Sequence, residues 1–255
     1  MNELHYAGRE LELFEGARNW KRYWSSEIRP FLGGDILEVG AGLGANTEFI
    51  KSTEASAWMC LEPDPELASR MRGRFSGRAL LAECRVEVGT TEALSPGRRF
   101  DGIVYVDTLE HIEEDRGELE RAARLLRAGG RIVVLAPAHQ WLYSPFDRAV
   151  GHFRRYDRLS LAELMPSGGR LLRLDYLDSA GLLASAGNRV FLQRSAPSRK
   201  QVFFWDRFLV PSLRLLDRLT FHMIGKSILG VWEKGRRRVS PARSSTNRLR
   251  RDKPL

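Results

Sequence analysis

The chain has 255 residues, of which 43% are hydrophobic and 29% are charged. This composition suits one large folded domain with a substantial core and excludes a globally disordered chain. Most of the net charge of +9 lies at one end, because residues 234–255 contain nine basic residues and one acidic residue, which leaves the rest at +1. A nearly neutral body argues against a nucleic-acid-binding fold, which needs a basic surface on the folded domain.

The two ends of the chain differ from its body. Residues 1–15 are predicted to be a leader and not a signal peptide, since they are acidic and lack an apolar core. Residues 235–255 are rich in Arg, Ser and Pro, which predicts a disordered basic tail. One domain is expected over 16–234, with a cofactor half at 35–136 and a substrate half at 137–226. No apolar run approaches the length of a membrane span, so we expect no transmembrane helix.

Two cysteines, Cys60 and Cys84, cannot build a disulfide scaffold, and their spacing fits no metal motif. Both lie in apolar, strand-like runs, which favours packing cysteines in a reducing compartment. The sequence therefore predicts a cytoplasmic protein.

Helical and strand-like segments alternate along the body. Trp20, Trp24, Ile28 and Phe31 lie at helical spacing, and a buried strand begins at residue 35. Further strands are predicted at 57–61, 84–88, 102–106, 131–136, 171–177 and 227–233. Helices are predicted at 66–75, 116–127, near 160–165 and over about 180–220. Apolar strands separated by helices are typical of a doubly wound parallel sheet that is covered on both faces.

A glycine-rich turn joins the first strand to the next helix. Gly40, Gly42 and Gly44 let the backbone approach a ligand closely and leave helix N-terminal amides pointing at it. Glu38 precedes the turn, and its carboxylate would repel a pyrophosphate but attract an ammonium or a sulfonium. Such a turn alone is shared by several nucleotide-binding folds.

Two acidic positions sharpen this interpretation. Glu62 ends the second strand, where a carboxylate can accept hydrogen bonds from both hydroxyls of a ribose. The fourth strand ends at Asp107 and continues as Thr108-Leu109-Glu110-His111-Ile112.

These motifs, EVGAGLG at 38–44, Glu62 and DTLEHI at 107–112, resemble the class I S-adenosylmethionine-dependent methyltransferases over about 17–234. The resemblance implies a Rossmann-like seven-stranded mixed sheet, with helices on both faces and the last strand antiparallel. It also implies S-adenosyl-L-methionine as cofactor. The cofactor-binding residues that it implies are Glu38, Gly40, Ala41, Gly42, Gly44, Glu62, Pro63, Asp64, Thr91, Glu92, Asp107 and Thr108.

The turn at 89–92 departs from the family pattern. Many members carry an acid at the position of Thr90, where it receives the adenine amino group. Either Glu92 substitutes here or that contact is missing. The alternatives are that Glu92 faces solvent and that Asp64 only caps the following helix.

The segment after the fifth strand resembles a bacterial subset with a GHxRRY loop, here Gly151–Tyr156 as GHFRRY. Ligands of open parallel sheets bind at the carboxyl ends of the strands, so this loop should overhang the methyl group. The predicted substrate residues are Tyr143, Asp147, Arg154, Arg155 and Tyr156. Each arginine either contacts a substrate carboxylate or phosphate, or pairs with Asp147 or Asp157 to hold the loop.

Transfer of a methyl group to oxygen or nitrogen requires loss of a proton from the acceptor. His152 on the overhanging loop is favoured as the base, with His111 as the second candidate. The alternative is that neither histidine is a base, because positioning alone can promote such reactions. No metal site is predicted.

Within residues 202–224, three arginines, Arg207, Arg214 and Arg218, interrupt an aromatic and apolar surface. The apolar residues of that surface are Phe203, Phe204, Trp205, Phe208, Leu209 and Leu213. The segment is expected to pack over the sheet as a lid on the site. The alternative is an interfacial helix that, together with the basic tail, brings the protein to the inner face of a membrane.

The predicted function is methyl transfer to oxygen or nitrogen, or less favourably carbon, of a small-molecule or lipid- or glycan-linked acceptor. A nucleic-acid methyltransferase that uses the basic tail stays an alternative, as does a non-catalytic cofactor-binding module. An NAD-dependent oxidoreductase is disfavoured by Glu38.

Overall fold

The computed structural model describes residues 16–187 and 199–235. The predicted leader and, apart from Gly235, the predicted basic tail lie outside these residues. None of the described helices is both long and apolar enough to cross a bilayer.

A mixed sheet of seven strands forms the centre of the described fold, as the resemblance implied. The strands are β1 (Gly34–Val39), β2 (Ala55–Glu62), β3 (Arg85–Val88), β4 (Phe100–Val106), β5 (Leu126–Pro137), β6 (Gly169–Leu177) and β7 (Ser227–Lys234). Their order is β3-β2-β1-β4-β5-β7-β6. The first five strands pair in parallel, and β7 inserts antiparallel between β5 and β6.

Helices connect the strands and surround the sheet. They are α1 (Arg18–Ile28), α2 (Thr47–Ile50), α3 (Pro65–Phe75), α4 (Ala79–Ala82), α5 (Asp115–Leu125), α6 (Pro145–Ala149), α7 (Arg158–Glu163), α8 (Ser179–Gly187), α9 (Arg199–Phe204) and α10 (Val210–Leu219). A π-helical turn at Trp205–Leu209 joins α9 to α10. The predicted helical region at 180–220 thus corresponds to α8 and α9–α10, and residues 188–198 between them lie outside the described residues.

Successive residues of a strand point to opposite faces of the sheet. Both faces are apolar here, and each is covered by helices. Leu37 and Val39 pack on one face with side chains of α5 and α7. Ile36 packs on the other face with side chains of α1, α3 and α10. This burial on both faces explains the uninterrupted apolar runs of β4 and β5.

Cys60 is buried and Cys84 is partly buried, and both are free thiols. Cys60 belongs to the apolar core on one face of the sheet and Cys84 packs against that core, in agreement with the predicted packing role.

Candidate functional site

The glycine turn lies where β1 ends. Gly40, Gly42 and Gly44 have φ values of 66°, 57° and 69°, in the left-handed region that favours glycine. A Cβ on Gly40 would collide with the Thr108 side chain, and a Cβ on Gly44 would lie 2.8 Å from Met71. Close packing and positive φ therefore both require glycine at positions 40 and 44.

Glu38 is buried at the end of β1 and faces β2. Its Oε2 accepts a hydrogen bond of 2.9 Å from the Trp58 indole. Burial raises the pKa of Glu38 to about 7, against the lowering effect of bonds from Thr47, Trp58 and Cys60. The carboxylate supports the strand from which the glycine turn starts and does not line the cavity described below.

Glu62 ends β2 beside the glycine turn. Its carboxylate accepts hydrogen bonds from the backbone N–H groups of Gly42, at 2.7 Å, and Asp64, at 3.0 Å. Burial raises the pKa of Glu62. Asp64 accepts from Glu66 N and Leu67 N and caps α3, which is the structural alternative weighed for it. Pro63 is exposed between the two acids.

The turn after β3 is held by α5. The Thr91 hydroxyl donates to Glu118 at 2.6 Å, and Thr91 is buried. Glu92 is largely exposed and forms an ion pair with Arg121 at 3.1 Å. Thr91 and Glu92, both implied to bind the cofactor, thus have partners on α5, and Glu92 takes the solvent-facing position considered as its alternative.

Asp107 follows β4 and faces a cavity. Its φ of 49° is a strained conformation for a residue other than glycine, of the kind that clusters at functional sites. Asp107 is solvent-exposed through the cavity, yet desolvation by the protein around it raises its pKa to about 6. Thr108 donates to Val106 O at 3.1 Å and supports the glycine turn from behind.

The loop after β5 is organised by one buried carboxylate, Asp147. The Asp147 Oδ1 lies 3.0 Å from His152 Nδ1, and Arg155 donates to both Asp147 oxygens, at 2.8 and 3.1 Å. Ser144 adds two further bonds. Burial alone would raise the pKa of Asp147, but the hydrogen bonds from His152 and Arg155 hold it well below its usual range. For Arg155, the structure therefore shows the loop-holding alternative.

The second arginine of the loop is also paired within the chain. Arg154 contacts Asp115 at 2.6 Å and donates to Glu113 O. The alternative that one arginine pairs with Asp147 or Asp157 therefore applies to Arg155, whereas Arg154 pairs with Asp115 of α5. Tyr156 is buried and donates to the same Asp115 carboxylate at 2.9 Å. Tyr143 donates to His152 O at 2.6 Å.

Three polar residues meet where this loop reaches the end of β4. The His111 and His152 rings are edge to face, with centroids 4.5 Å apart. Burial lowers the pKa of His111 to about 4, with a smaller contribution from His152. Ligand atoms of Glu110, His111 and His152 lie within 4.8 Å of one another, a spacing that a metal ion could bridge. The absence of a metal stays a prediction.

These elements line an open cavity of about 210 Å³. This volume lies below the ~300–1,000 Å³ of typical small-molecule sites. Of the predicted residues, the lining contains Gly40, Ala41, Gly42, Asp107, His111, Asp147, His152 and Arg155. The other predicted residues lie behind or beside it: Glu38, Gly44, Glu62, Pro63, Asp64, Thr91, Glu92, Thr108, Tyr143, Arg154 and Tyr156.

Several lining residues were missed by the sequence analysis. They are Trp20, Lys21, Trp24, Glu110, Asp178, Trp205 and Lys226. Burial raises the pKa of Asp178 to about 6 and lowers the pKa of Lys226. Lys226 precedes the antiparallel β7, whose start lies at the same edge as the carboxyl ends of the parallel strands. That topology was a usable signal for Lys226, whereas the tryptophans of α1 had been used only as evidence of helical spacing.

The fold and the glycine turn agree with the similarity of this chain to known methyltransferases. Residues 37–132 match the family described as methyltransferase domain. A demethylmenaquinone methyltransferase from Tropheryma whipplei is 31% identical over 150 residues, which are 58% of this chain. The matched part spans 60% of the length of that relative.

Solved structures agree on the fold. A complex of the Trm112 methyltransferase activator with a methyltransferase from Haloferax volcanii contains a chain with a TM-score of 0.59 and 15% identity, covering 89% of this chain and 94% of its own. An S-adenosylmethionine-dependent methyltransferase from Clostridium acetobutylicum has a TM-score of 0.54 and 11% identity, covering 86% and 92%.

These findings agree with the resemblance that the motifs predicted: residues 37–132 match a methyltransferase domain, and the fold is that of solved methyltransferase structures. S-adenosyl-L-methionine is the methyl donor that the class I methyltransferases imply. The finer resemblance of the 151–156 loop to a bacterial subset stays a prediction.

Proposed function

We propose that the protein transfers a methyl group from S-adenosyl-L-methionine to an oxygen or nitrogen atom of a small-molecule or lipid- or glycan-linked acceptor. The observation that carries this proposal is the His152–Asp147 pair in the wall of the cavity that the glycine turn also lines. A base with a fixed ring, facing the end of the site where the acceptor enters, is what oxygen or nitrogen methylation uses.

The chain's own residues fit the cofactor. Gly40, Ala41 and Gly42 of the glycine turn line the cavity. Asp107 exposes a carboxylate to the cavity, where it would attract the positive charges of the ligand. Gly40, Ala41, Gly42 and Asp107 would hold the methionine end, and Glu62, beside the turn, would hold the ribose. When bound, the cofactor supplies an activated methyl group and its own leaving group.

The remaining task of the protein is to position the acceptor and remove its proton. With Nδ1 donating to Asp147, His152 keeps the lone pair of Nε2 for the proton of an acceptor O–H or N–H. The buried Asp147 carboxylate stabilises the imidazolium that results. Trp20, Trp24 and Trp205 supply apolar walls that exclude water around the reacting atoms.

The proposal names a chemical class of acceptors and no single compound. The Tropheryma whipplei relative is named for demethylmenaquinone, so this compound belongs in an acceptor screen here, and a carbon acceptor remains the less favoured outcome. A nucleic-acid acceptor would require a steep salt dependence of activity. A non-catalytic module would bind the cofactor and never turn it over.

The first experiment is calorimetric titration with S-adenosylmethionine and S-adenosylhomocysteine, with NADH as the control ligand. Micromolar binding that Glu62→Ala abolishes and the neighbouring exposed Glu66→Ala retains would support the cofactor assignment. Absence of binding to the folded protein would overturn it.

A screen with labelled methyl groups then tests the base. His152→Asn should lower turnover by about 100-fold or more while cofactor affinity stays within about twofold. Unchanged turnover would show that positioning alone carries the reaction.

A further inference from the structure

The segment that leads from α9 to β7 exposes an unusual amount of apolar surface. Phe203, Phe204, Phe208 and Phe221 are 67%, 55%, 60% and 82% exposed. At roughly 200 Å² for each phenylalanine side chain, these rings alone expose about 500 Å². This summed area, to which Phe203 contributes from outside the face described next, is comparable to the about 300–600 Å² of the largest apolar patch on a typical monomer. Five further exposed residues enlarge it: Leu215, Leu216, Leu219, Met223 and Ile224.

The helical part of this segment has two distinct faces. Its buried residues recur every three or four positions: Val202, Asp206, Val210, Leu213 and Asp217. This inner face packs on the domain as the predicted lid would. The opposite face carries Phe204, Phe208, Leu215 and Leu219, again at helical spacing. The Phe204 and Phe208 rings are in contact, with centroids 5.2 Å apart. We call this outer face and the 221–224 turn the apolar ridge.

The charges beside the apolar ridge have one sign. Lys200, Arg207, Arg214 and Arg218 are all exposed, and their spacing of seven, seven and four places them along one flank of the helix.

The two acids of residues 199–224 point inward. Asp206 accepts from the backbone N–H groups of Asn19 and Trp20, and Asp217 accepts from the Tyr23 hydroxyl. Within this segment, the exposed charge is therefore basic only. A one-sided basic flank beside exposed aromatic residues complements an anionic bilayer, where rings enter the interface and cations meet head groups.

The apolar ridge adjoins cavity-lining residues along the chain. Trp205 lies between Phe204 and Phe208 in sequence and lines the cavity, and its indole donates to Asp178. The 221–224 turn leads within two residues to Lys226, which also lines the cavity. The segment from α9 to β7 therefore contributes both to the ridge and to the cavity wall.

We infer that the apolar ridge and its basic flank dock the protein on an anionic lipid bilayer, so that the cavity receives an acceptor from the lipid phase. The acceptor part rests on the proposed methyl transfer, whereas docking stands on the ridge alone.

The test is flotation of the full chain with vesicles of phosphatidylcholine, with and without an equal part of phosphatidylglycerol. The chain should bind the anionic vesicles, and Phe204→Ser/Phe208→Ser should lower the partition coefficient at least about tenfold. Leu80→Ser removes an exposed leucine elsewhere and should change it less than twofold.

Two charge-matched variants, both of which keep the basic tail, separate the contribution of the basic flank to vesicle binding from that of the tail. Lys200→Gln/Arg207→Gln/Arg218→Gln should lower binding to anionic vesicles at least about tenfold. Arg70→Gln/Arg116→Gln/Arg124→Gln removes the same charge from exposed sites on α3 and α5 and should lower it less than threefold.

Three outcomes would overturn the inference. The chain fails to bind either vesicle, or the ridge variants bind as well as the wild type, which would assign docking to the tail. The third is a dimer in sedimentation that Phe204→Ser/Phe208→Ser converts to a monomer without any vesicle binding, which would make the ridge a self-association surface.

Cofactor titration on the same samples keeps this inference apart from the proposed function. Retained S-adenosylmethionine binding without vesicle binding overturns docking only. Vesicle binding without S-adenosylmethionine binding overturns the function only.

Discussion

The two halves of the domain build their share of the cavity by different means. In the cofactor half, the site is made of backbone: three glycines with positive φ and Asp107 with a φ of 49°. In the substrate half, the site is made of side-chain bonds that converge on the buried Asp147. The first construction is sensitive to added bulk, whereas the second is sensitive to loss of a charge.

Removal of the central carboxylate should have the largest effect. Asp147→Ala leaves Arg155 and His152 without their buried partner, and we expect the free energy of unfolding to fall by about 3–5 kcal/mol. Denaturant unfolding measures this loss. Arg170→Gln is the control, since its pair with Glu233 is exposed on the arginine side and should cost at most about 1 kcal/mol. Equal effects would mean that Asp147 does not organise the loop.

Added bulk in the glycine turn tests the other half. Gly40→Ala forces a Cβ against Thr108 at a positive φ, and we expect affinity for S-adenosylmethionine to fall about 10- to 100-fold. Gly73→Ala in α3 is the matched control, because its Cβ would meet nothing within 4 Å. Calorimetry measures both affinities. An unchanged affinity in Gly40→Ala would place the cofactor elsewhere.

The support beneath the turn should appear as a pH effect. The pKa of Glu38 is about 7 in the folded protein against an ordinary value of 4.5. The folded state therefore holds a proton that the unfolded state loses, and the stability from Glu38 falls as pH rises from about 4.5 to 7. Relative to the wild type, Glu38→Gln should gain about 2 kcal/mol of stability across this interval.

Unfolding curves between pH 4.5 and 7.5 measure this difference. The control is Glu54→Gln, an exposed glutamate just before β2, which should follow the wild type. Parallel curves for Glu38→Gln and the wild type would contradict the shifted pKa.

The smallest expected effect concerns metals at the junction of the two halves. Although Glu110, His111 and His152 have the spacing to bind an ion, we expect chelation followed by Zn²⁺ or Mg²⁺ to leave the melting temperature unchanged. Thermal unfolding of the wild type and His111→Asn checks this. A rise in the melting temperature of the wild type alone would reveal a metal site.

The sequence predicted local patterns better than contacts between distant segments, for a physical reason. The glycine turn and the strand ends are local patterns, since a few consecutive residues determine the conformation. The partners of Arg154 and Thr91 are not local: Asp115 and Glu118 come from α5, and only the packed fold brings them near. Lys226 and Trp20 reach the cavity for the same reason, from opposite ends of the described chain.

The insertion of β7 between β5 and β6 has a consequence for biosynthesis. β6 pairs with β7 and with no other strand of the described sheet, and β7 lies close to the end of the described chain. A nascent chain that has reached residue 177 on the ribosome therefore presents both the free edge of β5 and an unpaired β6. We expect chaperones to shield these exposed strand edges in the growing polypeptide until Ser227–Lys234 emerge and join the two strands.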